Sequence, residues 1–78
     1  MNDVEEFERL INIAQESGYR VRYDYFGGTG GGVCQFGGTQ WLFVDLALSV
    51  TERLENLMSQ LSADPSVDAK LNQDSRAA

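Results

Sequence analysis

Residues 19 to 44 read YRVRYDYFGGTGGGVCQFGGTQWLFV, and how this run is divided decides the fold. From Tyr19 the side chains alternate: Tyr19, Val21, Tyr23 and Tyr25 lie on one side, and Arg20, Arg22 and Asp24 on the other. Period two with one apolar side is the pattern of a half-buried strand. After a glycine cluster, residues 33 to 36 read as a short second strand, Gly37-Gly38 as a two-residue turn, and residues 40 to 44 as a third strand. Trp41, Leu42, Phe43 and Val44 are apolar on both sides, as in the most enclosed strand of a sheet.

Helices flank this run. Upstream, Val4, Phe7, Leu10, Ile11 and Ala14 form one helical stripe, Asp3 followed by Glu6 reads as its capping box, and Gly18 as its left-handed stop. Downstream, Ser49 and Glu52 form a second capping box ahead of Val50, Leu54, Leu57, Met58 and Leu61. Asp64-Pro65, with Val67 and Leu71 four apart, predicts a short extra helix to about Asn72. The expected protein is one α+β domain over residues 1 to 72 with a frayed tail at 73 to 78. It has two layers: helix, a three-stranded, mostly antiparallel sheet, then helix. Both main helices are expected on one face, over a core of Phe7, Leu10, Ile11, Val21, Tyr23, Trp41, Phe43, Leu54, Leu57 and Leu61. Leu42 and Val44, with Phe26 and Phe36, are then the candidates for an exposed apolar patch and a dimer or partner interface.

Composition narrows the function. The 78 residues carry 6 basic and 12 acidic side chains, for a net charge of −6. That balance opposes direct binding to nucleic acid or to anionic membranes. The excess is concentrated near the start, where Asp3, Glu5, Glu6, Glu8 and Glu16 face Arg9 alone up to residue 18. An acidic mimic of nucleic acid is one sharper reading of such a bias; a solvated helix face is the ordinary one. There is no histidine and a single cysteine, Cys34, so an internal disulfide is impossible and no metal or other cofactor is expected. An acidic N-terminus, and no apolar run near the ~20 residues that span a bilayer, point to a cytoplasmic protein with no membrane partner.

The glycines pose the functional question, since seven of the twelve residues from 27 to 38 are glycine. A phosphate loop of the G-x-x-x-x-G-K-[ST] type is excluded because no lysine precedes Lys70, and the dinucleotide fingerprint fails at Val33 and Gln35. Two readings stay open. In one, positive φ angles and bulges shape the chain, and this is the expected one. In the other, Gly28, Gly30, Gly31, Gly32, Cys34 and Asp45 form a cradle for an anion or other small ligand. Cys34 is expected to be a small buried hydrophobe, although glycine-loop amides would also stabilise a thiolate. Asp45 either caps a turn or presents a carboxylate at the strand end. Tyrosines alternating with Arg20 and Arg22 resemble a base-stacking sheet only superficially, since its aromatic motif is missing.

The segment from Gly18 to Asp45, with GYRVRYDYFGGTGGGVC and then WLFVDL, resembles a family of short uncharacterised bacterial proteins that share an R-Y, glycine-cluster, cysteine, F-V-D-L pattern. That family implies no activity. The order of elements, with a second helix VTERLENLMSQLSA, is similar to the core of minigluzincin-type zinc peptidases. Their H-E-x-x-H falls here on Ser59, Gln60, Leu61, Ser62 and Ala63. The resemblance therefore implies a zincin-like scaffold without metal ligands and no catalytic residue. Together these readings favour a non-catalytic interaction or regulatory module with a protein partner, including a second copy of itself. The alternatives are a small-ligand protein or small enzyme using the loop of residues 27 to 34, and the acidic mimic.

Overall fold

In a computed structural model the described residues are 2 to 76, with side chains described to Asn72. The elements are α1 (Asp3–Glu16), β1 (Tyr19–Asp24), β2 (Gly32–Phe36), β3 (Thr39–Asp45), α2 (Val50–Ser62) and α3 (Pro65–Arg76). The domain is α+β as expected, and the sheet order is β1-β3-β2. β2 pairs antiparallel with β3, but β1 pairs parallel with it, so the sheet is mixed rather than mostly antiparallel. The cause lies after β1. Instead of turning back on its neighbour, the chain passes the C-terminal end of β3 and enters the sheet again at the opposite edge. Gly37 and Gly38 then make the turn into β3 with φ of 58° and 81°, both positive as a type I′ hairpin requires.

The helices start and stop for local reasons. Asn2, not Asp3, caps α1: its Oδ1 accepts from the Glu5 amide at 2.8 Å. Gly18 follows the helix with φ 97°. Both halves of the Ser49–Glu52 capping box form on α2, at 3.2 Å and 2.9 Å. The third helix runs through Arg76, four residues beyond the expected end and into the segment expected as a tail; residues 77 and 78 lie outside the described residues.

α1 and α2 cover one face of the sheet, and α3 packs against both helices. Leu10, Leu42, Leu61 and Val67 are almost fully buried at the centre, while Phe7, Val21 and Leu54 pack around them. The third helix is fixed by Val67 and Leu71, both buried, and by its N-terminal Asp64, whose carboxylate accepts from Tyr19 Oη at 2.6 Å. Burial, and then that bond to a carboxylate, push the Tyr19 phenol up to about 12. A raised phenol holds its proton in the folded state after the unfolded chain has lost it. Its contribution is therefore present below the ordinary tyrosine value near 10 and is lost as pH rises toward 12. In Tyr19→Phe, equilibrium unfolding followed by circular dichroism should lose part of that alkaline limb; an unchanged limb would assign it to other groups.

The register inverts one expectation. Val21 lies opposite Leu42 and Tyr23 opposite Val44, and paired residues point to the same side. Leu42 and Val44, at 1% and 5% exposed, therefore belong to the helix-covered core and not to a surface patch. Trp41 and Phe43 are half-buried on the open face, and Tyr23 is exposed at the margin of the helix side.

Candidate functional site

Asp45 is the last residue of the central strand, and the glycine loop closes over it. Its Oδ1 accepts from the amides of Phe26 at 3.0 Å and Ala47 at 2.9 Å, and its Oδ2 from that of Gly30 at 3.1 Å. The carboxylate is 1% exposed. Backbone amides that a turn or loop brings together form a concavity that binds an anion. Here the anion is supplied by the chain itself. All five glycines from 27 to 32 have positive φ, as the geometric reading of the loop expects. The Ala47 contact is an Asx turn at the strand exit, so Asp45 both caps a turn and anchors the loop.

Burial pushes the Asp45 carboxyl up, but hydrogen bonds from the amides of Phe26, Ala47, Gly30 and Gly28 outweigh it and hold the group below the ordinary range. For a depressed carboxyl the sign is fixed. Its stabilisation is present above the unfolded value of about 3.9 and is lost as pH falls through the lower folded value. The acid limb of stability is expected below about pH 4. In Asp45→Asn that limb should flatten, because the side chain no longer titrates; an acid midpoint and slope equal to wild type would assign the limb to other carboxylates, such as Asp64.

The other candidates occupy the open face of the sheet. Phe26 packs edge-on against Phe43, with ring centroids 5.7 Å apart, and Phe43 stacks with Trp41 at 6.1 Å. The Arg20 guanidinium lies over the Trp41 ring at 5.5 Å. Phe36 stands at the outer edge, 74% exposed. Cys34 is exposed too; it is not the buried hydrophobe expected, because its side of β2 faces away from the helices. A hollow of about 290 Å³ lies between the loop and β2, with Phe26, Gly32, Cys34 and Phe43 in its walls. Of the predicted ligand residues, Gly30 and Asp45 meet in the loop anchor. Gly31, Gly32 and Cys34 meet instead at the hollow. Of the predicted interface residues, Phe26 and Phe36 lie on the open side, while Leu42 and Val44 do not.

Sequence reasoning placed Arg20 on the solvent side of β1 correctly but put Trp41 and Phe43 in the core, where the structure does not have them. The one signal that finds these two is the parity of Asp45: it lies on the same side of β3 as Trp41 and Phe43, and a carboxylate is out of place in a layer covered by apolar helix faces. Among the described residues no group of three or more Cys, Asp or Glu is placed to hold a metal ion, and no helix is long and apolar enough to cross a membrane. No family model, curated protein or solved structure matches the chain.

Proposed function

We propose that this chain is a non-catalytic interaction module that holds another protein chain against the open face of its sheet. The observation that carries the reading is the row Phe26, Phe43 and Trp41, half-buried on the face the helices leave open, with Phe36 exposed at its edge, in a chain with a net charge of −6. Aromatic side chains with an arginine among them are the composition enriched at protein interfaces, and contiguous exposed apolar patches mark such contacts. The Phe26 and Gly30 amides are engaged by Asp45, which supports a structural role for this part of the loop over an anion cradle.

Affinity capture tests this reading. A protein retained by the wild-type chain and by Lys70→Glu, but lost from Phe36→Glu, fits the open face as the contact. Retention by all three chains, or by none, counts against it. A second reading rests on the hollow, whose volume of about 290 Å³ is close to the lower end for small-molecule sites. Saturable amide shifts on adding a small apolar metabolite, confined to the walls of the hollow, would favour that reading instead.

A further inference from the structure

The proposed open-face module leaves its partner unnamed, and the edge of β2 supplies a candidate. We infer that the partner is a second copy of this chain, paired antiparallel along β2 about a two-fold axis at Cys34, so that each Phe36 enters the other copy's hollow. This inference rests on the interaction-module reading and gives it one partner, which joins the sheet at the β2 edge and covers only the hollow at that end of the open face.

The direction of the free hydrogen-bonding groups comes first. A two-residue turn at Gly37-Gly38 makes Phe36 and Thr39 the hydrogen-bonded pair beside it. Alternation then points the N–H and C=O groups of Phe36, Cys34 and Gly32 into β3, and those of Gln35 and Val33 outward. β2 is an edge of the sheet; no described backbone group pairs with these outward ones, and the Cys34 thiol, 3.9 Å from the Gln35 carbonyl oxygen, is a weak donor that a second copy's amide would displace. An axis at Cys34 sets Val33 opposite Gln35 of the other copy, and each such pair can exchange both hydrogen bonds. The two Cys34 residues then form a non-hydrogen-bonded pair with Cα atoms about 4.5 Å apart.

Shape agrees with that register. Gly32 and Phe36 are the two ends of β2, equally far from Cys34, so the same axis brings each Phe36 opposite a Gly32. Gly32 pairs with Phe43 and forms part of the hollow wall. The most exposed apolar side chain of the sheet thus meets the one residue of the strand that has no side chain, at the mouth of an apolar hollow. A two-fold axis normal to the sheet keeps both aromatic faces on one side. Charge agrees along the strand as well. No charged residue lies between Asp24 and Asp45, so the paired strands themselves bring no like charges together, and the edge lacks the lysines and glutamates that commonly protect such strands.

Sedimentation velocity on the reduced protein, from about 10 μM to about 500 μM, should show a concentration-dependent dimer. Phe36→Glu should raise its dissociation constant at least tenfold while leaving the circular dichroism spectrum unchanged, because Phe36 contributes nothing to the core. Cys34→Ser should still dimerise, since the pairing does not need the sulfur. Diamide, which takes up the two electrons and two protons released by a pair of thiols, should link wild-type chains through Cys34 much faster than Phe36→Glu chains. A wild-type chain that stays monomeric throughout, a dimer indifferent to Phe36→Glu, or equal cross-linking of the two chains would each overturn the inference. A monomer that still captures another protein in a Phe36-dependent way overturns the dimer alone and leaves the module reading standing.

Discussion

Replacing Asp45 with alanine should lower the melting temperature by roughly 15 °C or more, enough to leave a domain of this size only marginally folded. The side chain is small, but its oxygens are the acceptors for the amides of Phe26, Gly30 and Ala47. Alanine leaves these donors without an acceptor where the loop crosses the end of β3. A buried donor stripped of its partner costs more than an ordinary hydrogen bond contributes. Asp45→Asn should fall between alanine and wild type: one carbonyl oxygen still accepts, while the amide NH2 faces backbone N–H groups. Thermal unfolding of the three chains provides the check. An alanine variant melting within a few degrees of wild type would mean that the loop is held by something other than this carboxylate.

Gly31→Ala should cost about 3 kcal/mol or more, the largest effect among the glycines. A Cβ at Gly31 would lie 2.9 Å from the Phe43 carbonyl carbon and closer still to its oxygen, and φ is already 67°. The obstacle is the backbone of the central strand, which cannot move aside as a flexible side chain would. Gly28 has φ 81° but nothing within 4 Å of the added atom, so Gly28→Ala should cost only about 1 kcal/mol, from the conformation alone. Urea unfolding of both variants separates the two contributions. Equal losses would show that left-handed geometry alone, without the close approach to β3, sets the requirement for glycine.

Periodicity was sufficient wherever one side of an element is apolar and the other is not. The stripe from Val4 to Ala14 and the box Ser49–Glu52 located α1 and α2, and Tyr19 and Val21 identified the buried side of β1. It was insufficient in β3. Trp41, Leu42, Phe43 and Val44 are apolar in both phases, so alternation offers no choice between them. The choice is made by pairing, which is long-range: the register of β1 on β3 sets Val21 beside Leu42. Nothing local to either strand announces that. The candidate site was legible in part for the same reason. Glycines at 27 to 32 signal positive φ by their chemistry alone, but the meeting of Gly30 with Asp45 depends on the route of the loop. The exposure of Cys34 depends on which side of β2 the helices leave uncovered.

The placement of β3 between two strands that precede it in the chain also sets an order of assembly. β1 and β2 do not touch each other in the sheet, so neither has a ladder partner until the residues of β3 have been made. During synthesis the first 38 residues can form a helix but no sheet, and a truncation at that point should leave both strand segments unstructured. Once β3 emerges, its hairpin with β2 closes over the short Gly37-Gly38 turn, whereas β1 must bridge a longer separation and pays more loop-closure entropy. Pulsed hydrogen exchange during refolding should therefore protect amides of residues 32 to 45 before those of residues 19 to 24. In that interval the Phe26 amide, which follows β1, should still lack its acceptor on Asp45, so this end of the loop is expected to close with the docking of β1.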